Sequence, residues 1–293
     1  MSLIPKQTGT FKSFDGTRIY YEVRGEGLPI VLNYGIGCLL NHWRHQIKHF
    51  SAQYKVIAYD YRAHHRSEIP EDRGHLSLDD LAQDLKSLLD HLEIQKASLW
   101  GHSFGAQMLV RHYDLFPEFA HSLVFVNGFV KNPLAGMFGA DLTTSFFRLF
   151  KSGYELLPET LSFLWRQSVQ NPLAVQLSAL AGGFNTNLTS LKDIEIYAKG
   201  IAGMDLDAFI RLFESMMAYD GRPVLSRISV PTMIIGGRQD SVTPEKHQEE
   251  IHQLIKGSEY FSVPYGSHCA QLDMPELVNL KIERFLRAKN PHG

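Results

Sequence analysis

The chain has 293 residues and a mass of 33.3 kDa, about twice the commonest domain size, which favours one large α/β domain or a domain that carries an insertion. Its 44% hydrophobic and 20% charged residues are typical of a globular protein and exclude a disordered, collagen-like or membrane-embedded chain. A formal net charge of −2 provides no basic surface for nucleic acid or for an anionic membrane, so neither is expected as a partner.

The cysteine content and the first residues of the chain indicate the cellular compartment of the protein. Cys38 and Cys269 are too few for a disulfide framework and are compatible with a reducing compartment. Residues 1–10 lack the apolar stretch behind a basic flank that a signal peptide needs, and no window approaches 18 uninterrupted apolar residues. We therefore expect a cytoplasmic protein without a membrane span.

The first third of the chain alternates between strand-like and helix-like segments. Residues 11–14 and 17–23 flank Asp15-Gly16, a pair typical of a tight hairpin turn, and predict two antiparallel strands. Short apolar runs follow, as in strands buried on both faces of a parallel sheet. These runs are 30–32, 56–59, 98–100 and 123–126. Between the second and third run, leucines on one stripe behind a capping box predict an amphipathic helix over 77–92.

The alternation stops in the middle of the chain and returns near its end. Consecutive helices are predicted at 141–156, 158–170, 172–181, 191–201 and 206–219. Strands at 232–235 and 260–263, each followed by a helix, restore the pattern and place both ends of the chain in one sheet. The predicted domains are a first core part at 1–128, a helical cap at 129–221 and a second core part at 222–293.

Gly101-His102-Ser103-Phe104-Gly105 is the most informative motif. It follows an apolar strand and opens a helix, which is the setting of a nucleophile elbow. Flanking glycines allow a turn so tight that the serine hydroxyl is lifted above the edge of the sheet. Ser103 is therefore the candidate nucleophile.

A serine nucleophile needs a base that an acid orients. Asp240 lies just beyond the strand at 232–235, and His268 lies just beyond the strand at 260–263. Strands of an α/β sheet build their sites at these carboxyl ends, and the chain order Ser, Asp, His is the order expected for a triad assembled on such a sheet.

At this point the chain resembles the α/β-hydrolase superfamily, in particular its helical-capped branch of esterases, lactonases, carbon–carbon bond hydrolases and cofactor-free haloperoxidases. Residues 33–37 with Trp43 occupy the place of the family's His-Gly-x-x-Gly oxyanion loop, and residues 60–67 resemble its Asp-x-Arg-Gly-His-Gly-x-Ser segment. The resemblance implies an α/β fold with a mostly parallel eight-stranded sheet, helices on both faces and an inserted cap.

The resemblance also implies roles for individual residues. Ser103 is the expected nucleophile, His268 the general base and acid, and Asp240 the residue that orients the imidazole. The backbone amides of Ile36 and Phe104 are the expected oxyanion donors. Tyr34 and Gly35 are placed in the substrate site, and bracing of the loop is favoured for Tyr34 over a hydrogen bond to a substrate oxygen.

Three residues depart from the family pattern. Tyr34 replaces the usual histidine before Gly35, so the oxyanion loop must be braced differently. Ala63 and His65 stand where the family prefers glycine, which predicts a bulkier turn after Asp60. None of the three changes affects the triad.

Other polar residues support weaker hypotheses. His42, His45 and His49 fall on a predicted helix, but no nearby Cys or carboxylate completes a metal shell, and neither a metal nor a cofactor is expected. His102 is assigned a packing or support role. Cys38 and Cys269 follow site residues directly, which predicts sensitivity to thiol reagents.

The favoured function is hydrolysis of a small-molecule carboxylic ester or lactone through an acyl-enzyme, by a monomer or homodimer. An apolar cap is expected to cover an acyl or ring pocket, with these members: Phe146, Phe147, Leu149, Phe150, Leu161, Phe163, Leu164, Met216 and Met217. A carbon–carbon bond hydrolase with a cap arginine (Arg148, Arg166 or Arg211) and a slowly turning-over ligand receptor are the alternatives. Serine at the elbow disfavours haloalkane dehalogenase and epoxide hydrolase activity, which use aspartate there.

Overall fold

The sheet begins with the predicted hairpin. The computed structural model describes residues 4–134, 142–168 and 183–289. Strands β1 (Lys6–Lys12) and β2 (Arg18–Arg24) pair antiparallel, and Gly16 in the turn between them has φ 88°, a conformation that glycine adopts without cost. The Asp-Gly signal is thus confirmed.

Six further strands complete one sheet. They are β3 (Pro29–Asn33), β4 (Lys55–Tyr59), β5 (Ala97–His102), β6 (Ala120–Val126), β7 (Thr232–Gly237) and β8 (Glu259–Val263). The strand order is β1-β2-β4-β3-β5-β6-β7-β8, and every pair from β4 to β8 is parallel. Every residue of β5 is buried, as its almost continuously apolar run predicts for a central strand. The predicted eight-stranded, mostly parallel α/β sheet is confirmed.

Helices connect the strands and cover both faces of the sheet. In the described stretches they are α1 (Arg44–Phe50), α2 (Leu78–His91), α3 (Phe104–Leu115), α4 (Leu142–Leu156), α5 (Pro158–Gln167), α6 (Leu191–Ala202), α7 (Leu206–Ala218), α8 (Arg222–Leu225), α9 (Lys246–Leu254), α10 (Ala270–Asp273) and α11 (Pro275–Lys289). The capping box predicted for α2 is present, with Ser77 and Asp80 bonded reciprocally. None of these helices is long and apolar enough to cross a membrane.

Five helices lie between β6 and β7 in the described stretches, and the first four of them, α4 to α7, are called the cap helices below. They match four of the five predicted helices to within three residues at each end, and the fifth, at 172–181, lies outside the described residues. The domain boundaries at 128/129 and 221/222 stay a prediction.

Ion pairs join the cap helices to the core on two sides. Arg44 on α1 donates to Asp193 on α6 at 2.8 Å. Arg73, before α2, donates to Asp205 at 2.7 Å and to Asp207 at 2.9 Å, at the start of α7. Because these side chains are partly exposed, each pair contributes about 1 kcal/mol or less to stability, so they fix the orientation of the cap helices more than they stabilise the fold.

Candidate active site

Ser103 occupies a strained turn between β5 and α3. Its backbone has φ 54° and ψ −122°, a conformation that L residues rarely adopt. The two motif glycines explain how the turn fits: an added Cβ at Gly101 would lie 2.6 Å from the Gly105 carbonyl oxygen, and one at Gly105 would lie 2.5 Å from the Asn33 carbonyl oxygen. The turn therefore requires glycine on both sides of the serine, which stays partly exposed.

The structure brings Ser103, His268 and Asp240 into one hydrogen-bonded chain. Ser103 Oγ lies 2.9 Å from His268 Nε2, and His268 Nδ1 lies 2.9 Å from Asp240 Oδ2. Since a carboxylate accepts hydrogen bonds, Nδ1 carries the proton and Nε2 presents a lone pair to the serine hydroxyl. This geometry suits proton transfer from Ser103 to His268.

Asp240 is buried and receives five hydrogen bonds. Oδ1 accepts from the amides of Val242 at 2.9 Å and Thr243 at 2.8 Å. Oδ2 accepts from the Asn127 side-chain amide at 2.8 Å, the Thr243 hydroxyl at 2.8 Å and His268. Burial alone raises the pKa of Asp240, but the attraction of His268 and these hydrogen bonds hold that pKa below its ordinary value. The carboxylate therefore stays charged and fixed in place.

The loop that carries His268 is held by hydrogen bonds at the backbone amide and the backbone carbonyl of that residue. The His268 amide donates to the Gly183 carbonyl at 3.0 Å, and its carbonyl accepts from His102 Nε2 at 2.8 Å. One residue earlier, the Ser267 amide donates to Asp273 at 2.7 Å. Burial, together with the nearby His268 and His42, holds the pKa of His102 well below its ordinary value, so His102 is neutral and supports the loop. This placement agrees with the support role expected for it.

The expected oxyanion donors flank Ser103. Phe104 is the first residue of α3, where a helix has no internal acceptor for the amide. Ile36 and Gly35 line the cavity above Ser103 from the loop after β3. The structure thus brings both loops to the nucleophile, and the role of the two amides in binding an oxyanion stays a prediction.

Tyr34 lies behind this loop and does not line the cavity. It is fully buried, and its hydroxyl donates to Asp60 Oδ1 at 3.2 Å and accepts from the Tyr61 amide at 3.1 Å. The Tyr61 hydroxyl in turn donates to the Tyr34 carbonyl at 2.9 Å. Of the two roles expected for Tyr34, these contacts agree with bracing of the loop and not with substrate binding, because its hydroxyl already has two protein partners.

A cavity of about 600 Å³ extends from Ser103 beneath the cap helices. No Asp, Glu, Lys or Arg is among the described residues that line it. Aromatic rings dominate its walls: Phe129, Phe146, Phe147, Phe150, Trp165, Tyr197, Phe209 and Phe213. The rings of Phe147 and Phe213 stack with their centroids 4.7 Å apart, and the ring centroids of Trp165 and Phe209 are 5.1 Å apart. The volume fits a drug-sized apolar ligand.

The expected roof of apolar cap residues is correct for some members and wrong for others. Phe146, Phe147, Phe150 and Met216 line the cavity. Leu149, Phe163 and Leu164 instead face solvent, each more than half exposed, while Leu161 and Met217 pack within the cap helices. Apolar residues outnumber the positions that one helix face can present to a pocket, so composition alone overestimates the lining.

The remaining candidates do not form a second site. His42 lies on a short 3-10 helix (Leu40–Trp43) and not on α1 with His45 and His49, which corrects the shared-helix prediction. No group of three potential metal ligands occurs in the part of the chain that the structure describes. Cys38 and Cys269 are both buried and both line the cavity, as their positions beside site residues suggested.

With fold and site geometry established, comparison with known proteins places the chain. The sequence profile of the alpha/beta hydrolase fold matches residues 29–275. The chain belongs to the α/β-hydrolase family. The resemblance inferred from the motifs is confirmed.

Two relatives of this α/β-hydrolase carry the names of hydrolases, and a third protein shares its fold. 3-Oxoadipate enol-lactonase 2 of Acinetobacter baylyi is 26% identical over 89% of each chain. Epoxide hydrolase 4 of Mus musculus is 27% identical over 93% of this chain and 77% of its own length. A bromoperoxidase structure from Bacillus anthracis shares the fold with a TM-score of 0.78 at 24% identity, over 95% of this chain and 100% of the other. The family match and the hydrolase names among the relatives together support hydrolytic activity.

Sequence reasoning missed two residues of this hydrolase that contact the acid. Asn127 follows β6 directly and has φ 48°, and its position at a strand end beside Gly128 was the available signal. Thr243 lies three residues after Asp240 in an Asp-x-x-Thr segment, where both its amide and its hydroxyl return to the carboxylate. Local turn chemistry could have identified Thr243.

Proposed function

We propose that this α/β-hydrolase is a serine esterase for neutral substrates with a bulky apolar group. The observation that carries the proposal is the continuous chain from Ser103 through His268 to Asp240 at the floor of an apolar cavity. Elbow geometry, tautomer and burial of the acid all favour an activated serine.

The reaction would run in two balanced halves. Ser103 Oγ attacks the carbonyl carbon while His268 Nε2 takes its proton, and the amides of Ile36 and Phe104 hold the oxyanion. Collapse of the tetrahedral species breaks the ester C–O bond, and the leaving alcohol takes the proton from His268. A water molecule then repeats the sequence on the acyl-enzyme and releases the acid. Asp240 keeps its charge throughout and stabilises the imidazolium.

The cavity favours a neutral substrate. A charged substrate group would lose its hydration against aromatic walls without gaining an ionic partner. Arg148, Arg166 and Arg211, which a carbon–carbon bond hydrolase would need in the pocket, are all exposed and do not line it. Serine at the elbow also separates the chain from the aspartate-dependent mechanism of epoxide hydrolases.

Intact-mass analysis after treatment with a fluorophosphonate tests the nucleophile. The wild type should gain one adduct, Ser103→Ala should gain none, and Ser152→Ala, which changes an exposed serine on α4, should behave like the wild type. Labelling that persists in Ser103→Ala, or a folded wild type that stays unlabelled, would refute the proposal.

Steady-state kinetics test the substrate class. A nitrophenyl hexanoate and the nitrophenyl monoester of adipic acid have the same chain length and differ in a terminal carboxylate. We expect kcat/KM for the neutral ester to be at least about tenfold higher, because the carboxylate must be desolvated. Equal values would contradict the neutral-substrate assignment. Acylation without sustained product release would favour the slow receptor.

A further inference from the structure

His65 has a backbone conformation that its side chain disfavours. Its φ is 47°, in the left-handed region, and Ala63 two residues earlier has φ 58°. A Cβ in this region crowds the backbone, whereas glycine adopts it freely. Ala63 has the same conformation without a polar side chain, so the strain indicates a role for His65 only together with a contact of its ring.

The ring provides one, on the oxyanion loop. His65 Nε2 donates to the Cys38 carbonyl oxygen at 2.7 Å. The Cys38 amide donates to the Gly35 carbonyl at 3.0 Å and closes the turn that contains Ile36. His65 therefore holds the far end of the turn whose amide is the proposed oxyanion donor.

The neighbouring His64 contacts the same turn as a hydrogen-bond acceptor, whereas His65 is a donor. Its Nε2 accepts from the Gly37 amide at 3.1 Å, and its Nδ1 donates to the Arg62 carbonyl at 3.0 Å. Two consecutive imidazoles thus bond successive residues of the turn, one as acceptor and one as donor. The His65 ring also packs 6.4 Å from the ring of Tyr34, which braces the loop from behind.

We propose that His65 is a positioning residue that fixes the Ile36 amide for oxyanion binding by holding the Cys38 carbonyl. A glycine at this position would relieve the backbone but would provide no donor, so the strained conformation is the cost of the contact. The effect of His65 on catalysis rests on the proposed function. Its effect on the structure of the turn does not.

Three variants separate positioning from general stability. His65→Gly removes the ring and relieves the backbone. His65→Gln retains a side-chain N–H donor of similar reach. Ala63→Gly relieves a left-handed residue of the same segment without removing a donor, because alanine has none.

We expect His65→Gly to lower kcat about 10- to 50-fold and to change KM by less than about twofold, since an oxyanion is bound only in the transition state. His65→Gln should recover at least a third of the wild-type kcat. Ala63→Gly should keep the wild-type kcat. Ala63→Gly should raise the urea midpoint above that of the wild type. Any decrease of the urea midpoint in His65→Gly should be no larger than this increase.

Several results would overturn the proposal: a kcat of His65→Gly within threefold of the wild type, an equal loss in the Gly and Gln variants, or a loss confined to KM. Hydrogen exchange of the backbone at residues 35–38 gives a readout that needs no substrate. Faster exchange in His65→Gly than in Ala63→Gly supports the brace, and equal exchange refutes it. If exchange responds while no variant, the wild type included, turns over an ester, the proposed function fails and the brace stands.

Discussion

Asn127 donates its side-chain amide both to Asp240 Oδ2, at 2.8 Å, and to the carbonyl oxygen of Ser267, at 3.0 Å. It therefore ties Asp240, the acid of the proposed triad, to the residue that precedes His268. The backbone of Asn127 is left-handed, with φ 48°, a conformation that asparagine tolerates better than most residues. One side chain at the end of β6 thus holds Asp240 and the loop of His268 together.

Replacing Asn127 should reduce catalysis without unfolding the protein. Asn127→Gly keeps the backbone conformation and removes the amide, so Asp240 loses one of its five donors. We expect kcat to fall about tenfold, equivalent to about 1.4 kcal/mol, measured with a neutral nitrophenyl ester. Asn127→Asp is the matched comparison, because it retains the shape but places a second carboxylate beside Asp240 and should cost more. A variant Asn127→Asp as active as Asn127→Gly would contradict this account.

Buried histidines should make the fold sensitive to acid. Burial lowers the pKa of His42 and of His112 to about 4 and that of His64 to about 3, against 6.5 in the unfolded chain. Between pH 6.5 and 4 the unfolded state therefore binds more protons, and stability falls as the pH falls. At pH 5 each of these histidines should reduce the free energy of unfolding by about 2 kcal/mol relative to pH 7.5. Urea unfolding at the two pH values measures the change.

A variant of His112 isolates this effect far from the site. His112 Nδ1 donates to the Ala82 carbonyl at 2.9 Å. His112→Asn retains a donor at the corresponding position and removes the titrating group. Its loss of stability between pH 7.5 and 5 should be smaller than that of the wild type by about 2 kcal/mol. An unchanged pH dependence would show that other groups dominate the acid response.

The aromatic wall should set the preference for large acyl groups. Phe147 is buried, 9% exposed, and stacks on Phe213, whereas its neighbour Phe146 lies at the mouth of the same cavity and is 70% exposed. We expect Phe147→Ala to raise KM about tenfold for a nitrophenyl decanoate and to leave nitrophenyl acetate nearly unchanged. Phe146→Ala should change neither KM by more than about threefold. Equal effects of the two substitutions would argue against a defined wall.

The cysteines should react slowly and with a functional consequence. Burial raises the pKa of both the Cys38 and the Cys269 thiol, so the reactive thiolate is scarce at neutral pH. We expect iodoacetamide to modify them at least about 100-fold more slowly than a free cysteine. Once alkylated, either residue should obstruct the cavity that both line. The unmodified fraction, measured by mass spectrometry, and the residual activity should decline together. A doubly alkylated protein with full ester turnover would contradict the obstruction of the cavity.

Sequence predicted the sheet well and the pocket less well, for physical reasons. Almost continuously apolar runs such as 98–100 predict buried parallel strands when they are too short for a helix and alternate with helical patterns. Ser103, Asp240 and His268 could be placed together because the carboxyl ends of parallel strands share one edge of the sheet. For Tyr34 the sequence left bracing of the loop and contact with a substrate both open, since one position in a sequence gives no side-chain direction.

Long-range contacts explain what the sequence left open. The partner of Asn127 lies 113 residues away in the chain, and that of His65 lies 27 residues away. Neither pairing has a local signature. In the cap helices, Leu149 and Phe150 are adjacent and equally apolar, yet only Phe150 lines the cavity. Which face of a helix meets the core depends on tertiary packing that propensity does not encode.

The separation of 165 residues between Ser103 and His268 has a consequence for biosynthesis. Ribosomes add about 5–20 residues per second, so the histidine is made about 10–30 s after the serine. Throughout that interval the nascent chain carries the elbow sequence without its base. The last strand of the sheet, β8, directly precedes the histidine loop, so completion of the sheet and delivery of the base coincide. The proposed base can therefore reach Ser103 only after the last strand of the sheet has been synthesised.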